Sequence, residues 1–230
     1  MSKYKKHYPF HLYSGHTYAV SGRCQDKINY FETDFKKEIF KRVLNKSIKR
    51  FKIRMFGWVI LSNHYHLLFA LPEDVIGQDQ RNVGKEEGAE RLDFVPMRIG
   101  TQSNTPLEST KRLDSAGARF NAPLSRFTLV EFIRKIHKDT ARELNKLDRV
   151  PGRQVWYQYW DYCIRNQPDF WFHFNYIIQN PLKHGLVQSL YEAYHYKFSS
   201  NPIWLARFGK DGLWESFVRY PVKDWTPEEE

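Results

Sequence analysis

Hydrophobic and polar positions along the chain recur with two different periods, and the switches between them outline a short series of elements. Residues 16–23 (HTYAVSGR) read as a strand. Phe35, Ile39, Val43, Leu44, Ile48 and Phe51 then recur at helical spacing, which predicts an amphipathic helix from 34 to about 50. Its other face carries Lys36, Lys37, Lys41, Arg42, Lys46, Lys49 and Arg50. Residues 52–60 are rich in strand formers, Leu61-Ser62-Asn63 suit a turn, and residues 64–70 (HYHLLFA) form another strand that Pro72 stops. Much further on, Thr128 and Glu131 make a capping box. Leu129, Ile133, Ile136, Thr140, Leu144 and Leu147 line one side of the helix that follows, to about residue 148. Residues 155–164 (VWYQYWDYCI) read as strand or extended chain. Asn166 and Asp169 flank Pro168 at the start of a last helix, with Phe170, Phe174, Ile177 and Ile178 on its buried side. That helix is expected to end near Asn180, because Pro181 disfavours helical geometry in the residue before it. The order strand, helix, strand, strand, helix, strand, helix predicts an α+β sandwich, a small antiparallel or mixed sheet with helices packed on it.

Composition refines this picture. The 230 residues suit a single domain with a sizeable core. Residues 1–74 and 125–230 are dense in aromatics, whereas 75–124 are polar and rich in Gly, Ser, Asn and Thr, with Phe94 and Phe120 as the aromatics there. That middle stretch buries too little to offset its ordering entropy and reads as a flexible insertion. The chain ends in the acidic tip Pro227-Glu228-Glu229-Glu230. A net charge of +10 points to an anionic partner, nucleic acid first. With 17% aromatic residues, some rings are free to stack on unpaired bases while others fill the core. Cys24 and Cys163 are too few for a cysteine-rich zinc ribbon and fit a reducing cytosol. The start MSKYKKHYPF lacks the apolar region of a signal peptide, and no run of 18 apolar residues occurs, so a cytoplasmic location without membrane spanning is expected.

Two stretches carry candidate chemistry. In Asn63-His64-Tyr65-His66 the strand alternation puts His64, His66 and Leu68 on one face and Tyr65, Leu67 and Phe69 on the other. Two imidazoles so placed can converge on one divalent cation, with a third ligand from elsewhere. Surface or core histidines also occur in this pattern. In the second stretch, residues 175–185 (NYIIQNPLKHG), Tyr176 and Asn180 are four apart and share a helix face with His173. A phenol beside a carboxamide oxygen makes a nucleophile-plus-ligand set if the helix faces the histidines. A tyrosine there can equally be packing.

Taken in order, these stretches resemble the single-tyrosine HUH transposases, in particular the REP-associated tyrosine transposases. His64-Tyr65-His66 is similar to the family's His-hydrophobe-His motif, although Ser62 stands where the family usually has proline. Residues 160–166 (WDYCIRN), residues 176–185 and Phe198-Ser199-Ser200 resemble segments of the family that follow in the same order. The resemblance covers about 8–74 and 125–205; it makes 1–74 with 125–205 one HUH transposase-like domain, 75–124 an insertion and 206–230 a C-terminal extension. It implies a ferredoxin-like antiparallel sheet with the HUH motif on a central strand and the tyrosine on a helix beside it. It further implies that His64, His66 and Asn180 bind Mg²⁺ or Mn²⁺. Tyr176 would then attack single-stranded or hairpin DNA to form a 5′-phosphotyrosine link, which the released 3′-hydroxyl later reverses. Such a protein would act at the bacterial nucleoid, as monomer or homodimer. Arg165, Lys183, Lys41 and Lys49 are candidates for phosphate contact, and Trp156, Trp160 or Phe172 for base stacking. The alternatives are a domesticated DNA-binding protein that no longer cleaves, a nuclease that activates water, and an RNA-binding protein.

Overall fold

A computed structural model of the chain describes residues 16–72 and 129–222. The expected insertion at 75–124, the Thr128 cap and the acidic tip lie outside the described residues. The elements follow the expected order: β1 Thr17–Cys24, α1 Asp34–Arg50, β2 Arg54–Ile60, β3 His64–Ala70, α2 Leu129–Leu147, β4 Trp156–Cys163 and α3 Gln167–Lys183. Two more helices, α4 Leu190–Tyr194 and α5 Asn201–Arg219, complete it. The strands lie in the order β2-β3-β1-β4, and every neighbouring pair is antiparallel. Strand-helix-strand-strand-helix-strand in that spatial order is the ferredoxin-like arrangement, and β3 with its histidines is internal, as expected.

Each face of the sheet has its own core. On one, Tyr65, Leu67 and Phe69 of β3 pack with Phe40 and Leu44 of α1 and Phe132, Ile133 and Ile136 of α2. On the other, Leu68 and Val59 meet Phe170, Phe174, Ile177 and Ile178 of α3, backed by Tyr194 and Leu213. Large side chains buried this fully contribute roughly 1.5–3 kcal/mol each. Caps agree with the boundaries: Thr33 accepts from the Lys36 N–H at 3.3 Å, and Asn166 accepts from the Asp169 N–H at 2.9 Å. The exposed edge of β2 is covered by the Phe-Ser-Ser segment. There the Ile60 N–H donates to the Phe198 carbonyl and the Ser200 N–H to the Trp58 carbonyl, both at 2.8 Å.

Several local expectations give way to tertiary packing. Phe35 is exposed and Leu147 half-exposed, whereas Lys37, placed on the basic face by helical spacing, is buried with its ammonium 5.5 Å over the Phe198 ring. The segment that covers it is far away in the chain, so no periodicity could show it. Pro181 does not end α3, which runs to Lys183 with the proline inside its last turn. One missing N–H is tolerated there, because that turn is held by the buried contacts around Ile177 and Ile178. α3 is also buried nearly all round, between the sheet and the α4–α5 pair. The boundary drawn at 205 falls inside α5, whose Ser216 hydroxyl donates to the Asn175 side chain at 2.8 Å. Both cysteines are free thiols, and among the described residues no helix is long and apolar enough to cross a membrane.

Gly22 on β1 faces Tyr65 on β3, and a Cβ there would sit 2.4 Å from the Tyr65 ring. The large aromatic between the two histidines therefore requires glycine across the strand. Gly22→Ala should destabilise the protein by about 1–3 kcal/mol, and Gly22→Ala with Tyr65→Val by less than the two single changes together. Urea midpoints of the four proteins measure the coupling, and strict additivity would remove it.

The Tyr65 hydroxyl is paired with His137 Nε2 at 2.8 Å, and the His137 ring stacks on Trp156 with centroids 4.5 Å apart. Burial pushes the His137 pKa down to about 3, so the folded protein keeps this ring neutral. The unfolded chain titrates it near 6.5, so it binds more protons than the folded one between the two values. Stability contributed by this ring is thus complete above about pH 6.5 and falls as acid is added, by up to about 1.4 kcal/mol per pH unit. His137→Gln should reduce the loss of stability between pH 7 and 4.5 by about 2 kcal/mol in urea titrations.

Candidate active site

The sheet face that α3 covers holds the predicted histidines. Ser21 is the cross-strand partner of His66, and its hydroxyl lies 2.5 Å from His66 Nδ1. His64 Nδ1 is 2.7 Å from Asn63 Oδ1, and the same carboxamide donates to the Lys27 carbonyl at 3.0 Å, anchoring the turn before β3. Each ring is thus held at Nδ1 by a neighbour, the support that ligand histidines characteristically have. His66 Nε2 is buried and has no hydrogen-bond partner.

α3 brings the tyrosine to this face. Gly57 on β2 lets the helix approach, since a Cβ there would lie 3.3 Å from Ile177 Cδ1. The buried Tyr176 ring meets His66 edge-on with centroids 5.1 Å apart, and His64 and His66 stand 5.2 Å apart. One turn along α3, Asn180 is wholly buried; its Nδ2 donates to the Tyr176 carbonyl at 3.3 Å and its Oδ1 has no hydrogen-bond partner. Buried polar atoms are almost always paired, and two of the unpaired ones thus lie beside one tyrosine, where they are available to a ligand.

Burial and nearby positive groups set the protonation of the two histidines. Burial, with His184 and Arg23 nearby, pushes the His64 pKa down to about 3. Burial and the neighbouring His64, His184, Lys183 and His173 hold His66 well below the ordinary histidine range. Both imidazoles are therefore neutral, the form that ligates metals. Burial raises the Tyr176 phenol, with the Asn180 side chain pulling it partly back. Among the described residues no three His, Cys, Asp or Glu side chains group as a metal cage, and the Asn180 carboxamide is the oxygen donor on the facing helix.

His64, His66, Tyr176 and Asn180 thus gather at one sheet–helix junction, and Lys183 joins them with its ammonium 5.3 Å over the Tyr176 ring. Arg165 lies exposed at the β4–α3 connection, 5.5 Å over the Tyr162 ring. Lys41 and Lys49 are not brought to this cluster. They sit on α1, across the sheet from the histidines, and Lys41 pairs with Glu38 at 3.9 Å. Trp156, a stacking candidate in the sequence, is instead a core residue whose indole N–H donates to Thr140 Oγ1 at 2.9 Å. Phe172 is half-buried against His173. Sequence reasoning missed Ser21 and Arg23, which only cross-strand register reveals. It also passed over His184, whose ring packs 4.6 Å from that of His64 although it lies inside the tyrosine-bearing segment.

No protein-family model matches the chain. A curated Haemophilus influenzae protein, provisionally named a REP-associated tyrosine transposase, is 23% identical over 202 residues, covering 85% of this chain and 86% of its own. A solved structure of a REP-associated tyrosine transposase bound to a REP hairpin superposes with a TM-score of 0.53 at 18% identity, over 93% of this chain and 88% of that one. The curated relative bears out the resemblance read from the motifs, and the solved structure shares the fold.

Proposed function

We propose that this chain is a REP-associated tyrosine transposase, a metal-dependent enzyme that cleaves and rejoins single-stranded DNA at hairpin repeats through a 5′-phosphotyrosine link. The relative and the hairpin-bound structure support the class and the hairpin partner. The observation that carries the chemistry is the meeting of Tyr176 with two orphaned buried atoms, His66 Nε2 and Asn180 Oδ1. With His64 Nε2, these are the atoms that would hold the cation. A neutral nitrogen-rich set without a carboxylate suits Mn²⁺ better than Mg²⁺. When bound, the cation would offset charge on the scissile phosphate and favour displacement at phosphorus.

The chain's own residues do the rest. Ser21 and Asn63 fix the imidazole rings, and Gly57 sets the helix close enough for the tyrosine to face them. The Tyr176 oxygen forms a bond to phosphorus as the bond to the 3′-oxygen breaks. The phenolic proton is lost, and the departing 3′-oxygen takes one up. Attack by that hydroxyl on the link reverses the exchange and restores the tyrosine, so no outside energy source is needed. Burial keeps the phenol protonated in the free protein, the Asn180 side chain pulls it partly back, and the Lys183 ammonium over its ring offers a positive charge to the approaching DNA.

The test uses end-labelled hairpin oligonucleotides with unpaired flanks, taken from DNA adjoining the gene, incubated with Mn²⁺. A labelled band that survives denaturing electrophoresis and disappears with EDTA is expected. Cleavage without an adduct would point to a water-activating nuclease, and binding without cleavage to a domesticated DNA-binding protein.

A further inference from the structure

α3 packs over β2 and β3, and Gln158 and Trp160 of β4 remain exposed on the same face. Register aligns the rows there: Trp160 pairs with Ser21, which pairs with His66, and Gln158 pairs with Arg23, which pairs with His64. Trp160 therefore stands two strand spacings, about 10 Å, from the histidines. The small Ser21 lies between them, so a strip of the sheet runs from Trp160 over Ser21 to His66. Its far end is closed where the Tyr162 ring stacks on His173 of α3, centroids 5.0 Å apart.

Trp160 is 41% exposed, a large aromatic ring left open on the part of this face that α3 does not cover. The Arg23 guanidinium lies 5.3 Å from its ring centroid and 5.4 Å from that of Tyr157. Asp161 turns to the opposite face by strand alternation, beside Val20. The strip is thus lined by rings, three cations and one carboxylate: Lys183 and Arg23 on the histidine side, and at the closed end Arg165 with Asp169, whose carboxylate accepts from the Tyr162 hydroxyl at 2.9 Å. Its charge complements phosphate, and its aromatic floor complements bases rather than a protein's apolar side chains.

We propose that Trp160, backed by Arg23, is a stacking clamp for an unpaired nucleotide that flanks the cleaved phosphodiester. The clamp deepens the function proposed above and rests on it for the cleavage step. Stacking reads a base's face rather than its edges, so the clamp positions the strand without choosing its sequence. A base held at Trp160 leaves the adjoining backbone to run over Ser21 toward His66 and Tyr176.

Two fluorescein-labelled probes separate base from backbone: oligothymidylate, and an oligomer of equal length made of abasic sugars. Wild type should bind oligothymidylate more tightly. Trp160→Ala should lose about tenfold in affinity for it and almost nothing for the abasic oligomer. Trp160→Phe, which keeps a ring, should retain most of the preference, and Arg23→Ala should lower it. An unchanged preference in either alanine variant overturns the clamp, as does an equal loss on both probes. Covalent capture of the flanked hairpin is read separately on the same proteins. Wild type that shows the base preference but forms no adduct would sink the transposase reading and leave the clamp standing.

Discussion

Tyr176→Phe is expected to abolish covalent capture of hairpin DNA, lowering strand cleavage by at least about a thousandfold. The change removes the attacking oxygen and keeps the ring that packs edge-on to His66 and under Lys183. Affinity for the hairpin should be nearly unchanged. The melting temperature should move by no more than about 3 °C, since one hydroxyl in this setting is worth about 1 kcal/mol. Tyr65 cannot take over, because its hydroxyl is held by His137 in the core on the other side of the sheet. An adduct that persists in the phenylalanine protein would mean that another side chain is the nucleophile. Peptide mapping of that adduct would identify it.

His64→Ala should give the second-largest loss, about a hundredfold in cleavage, but of a different kind. Without one imidazole the remaining His66 and Asn180 atoms hold a cation more weakly, so excess Mn²⁺ should restore part of the activity. It should restore none in Tyr176→Phe. His64 is the better residue to replace than His66, because His66 is buried and its loss would also strand the Ser21 hydroxyl. Asn63→Ala, which frees the His64 ring without removing it, should fall between wild type and His64→Ala. The measurement is the Mn²⁺ concentration for half-maximal cleavage in each protein. An identical midpoint in wild type and His64→Ala, with activity merely reduced, would take His64 out of the metal set.

Local pattern determined a great deal about this protein. Element types and order follow from backbone geometry, which spaces side chains the same way wherever a strand or helix sits. That is why the facing of His64 and His66 away from Tyr65, the Asn166 cap, and the α+β class with its strand order along the chain were legible without coordinates. The shared face of Tyr176 and Asn180 was legible for the same reason, though what that face meets was not. Tertiary structure alone decided which distant surfaces touch. It put Lys37 beneath Phe198, sent Lys41 and Lys49 to the far side of the sheet, and through the register shift at Arg23/Cys24 buried Trp156 on one face while leaving Trp160, four residues along, exposed on the other. It also carried α3 through Pro181, because contacts with the sheet and α5 outweigh one lost hydrogen bond. Above all, register decided the site: Ser21 meets His66, and Arg23 meets His64, only because β1 runs antiparallel to β3 at one offset. A slip of a single residue would have turned every one of those side chains to the other face, and no periodicity within either strand records the offset between them.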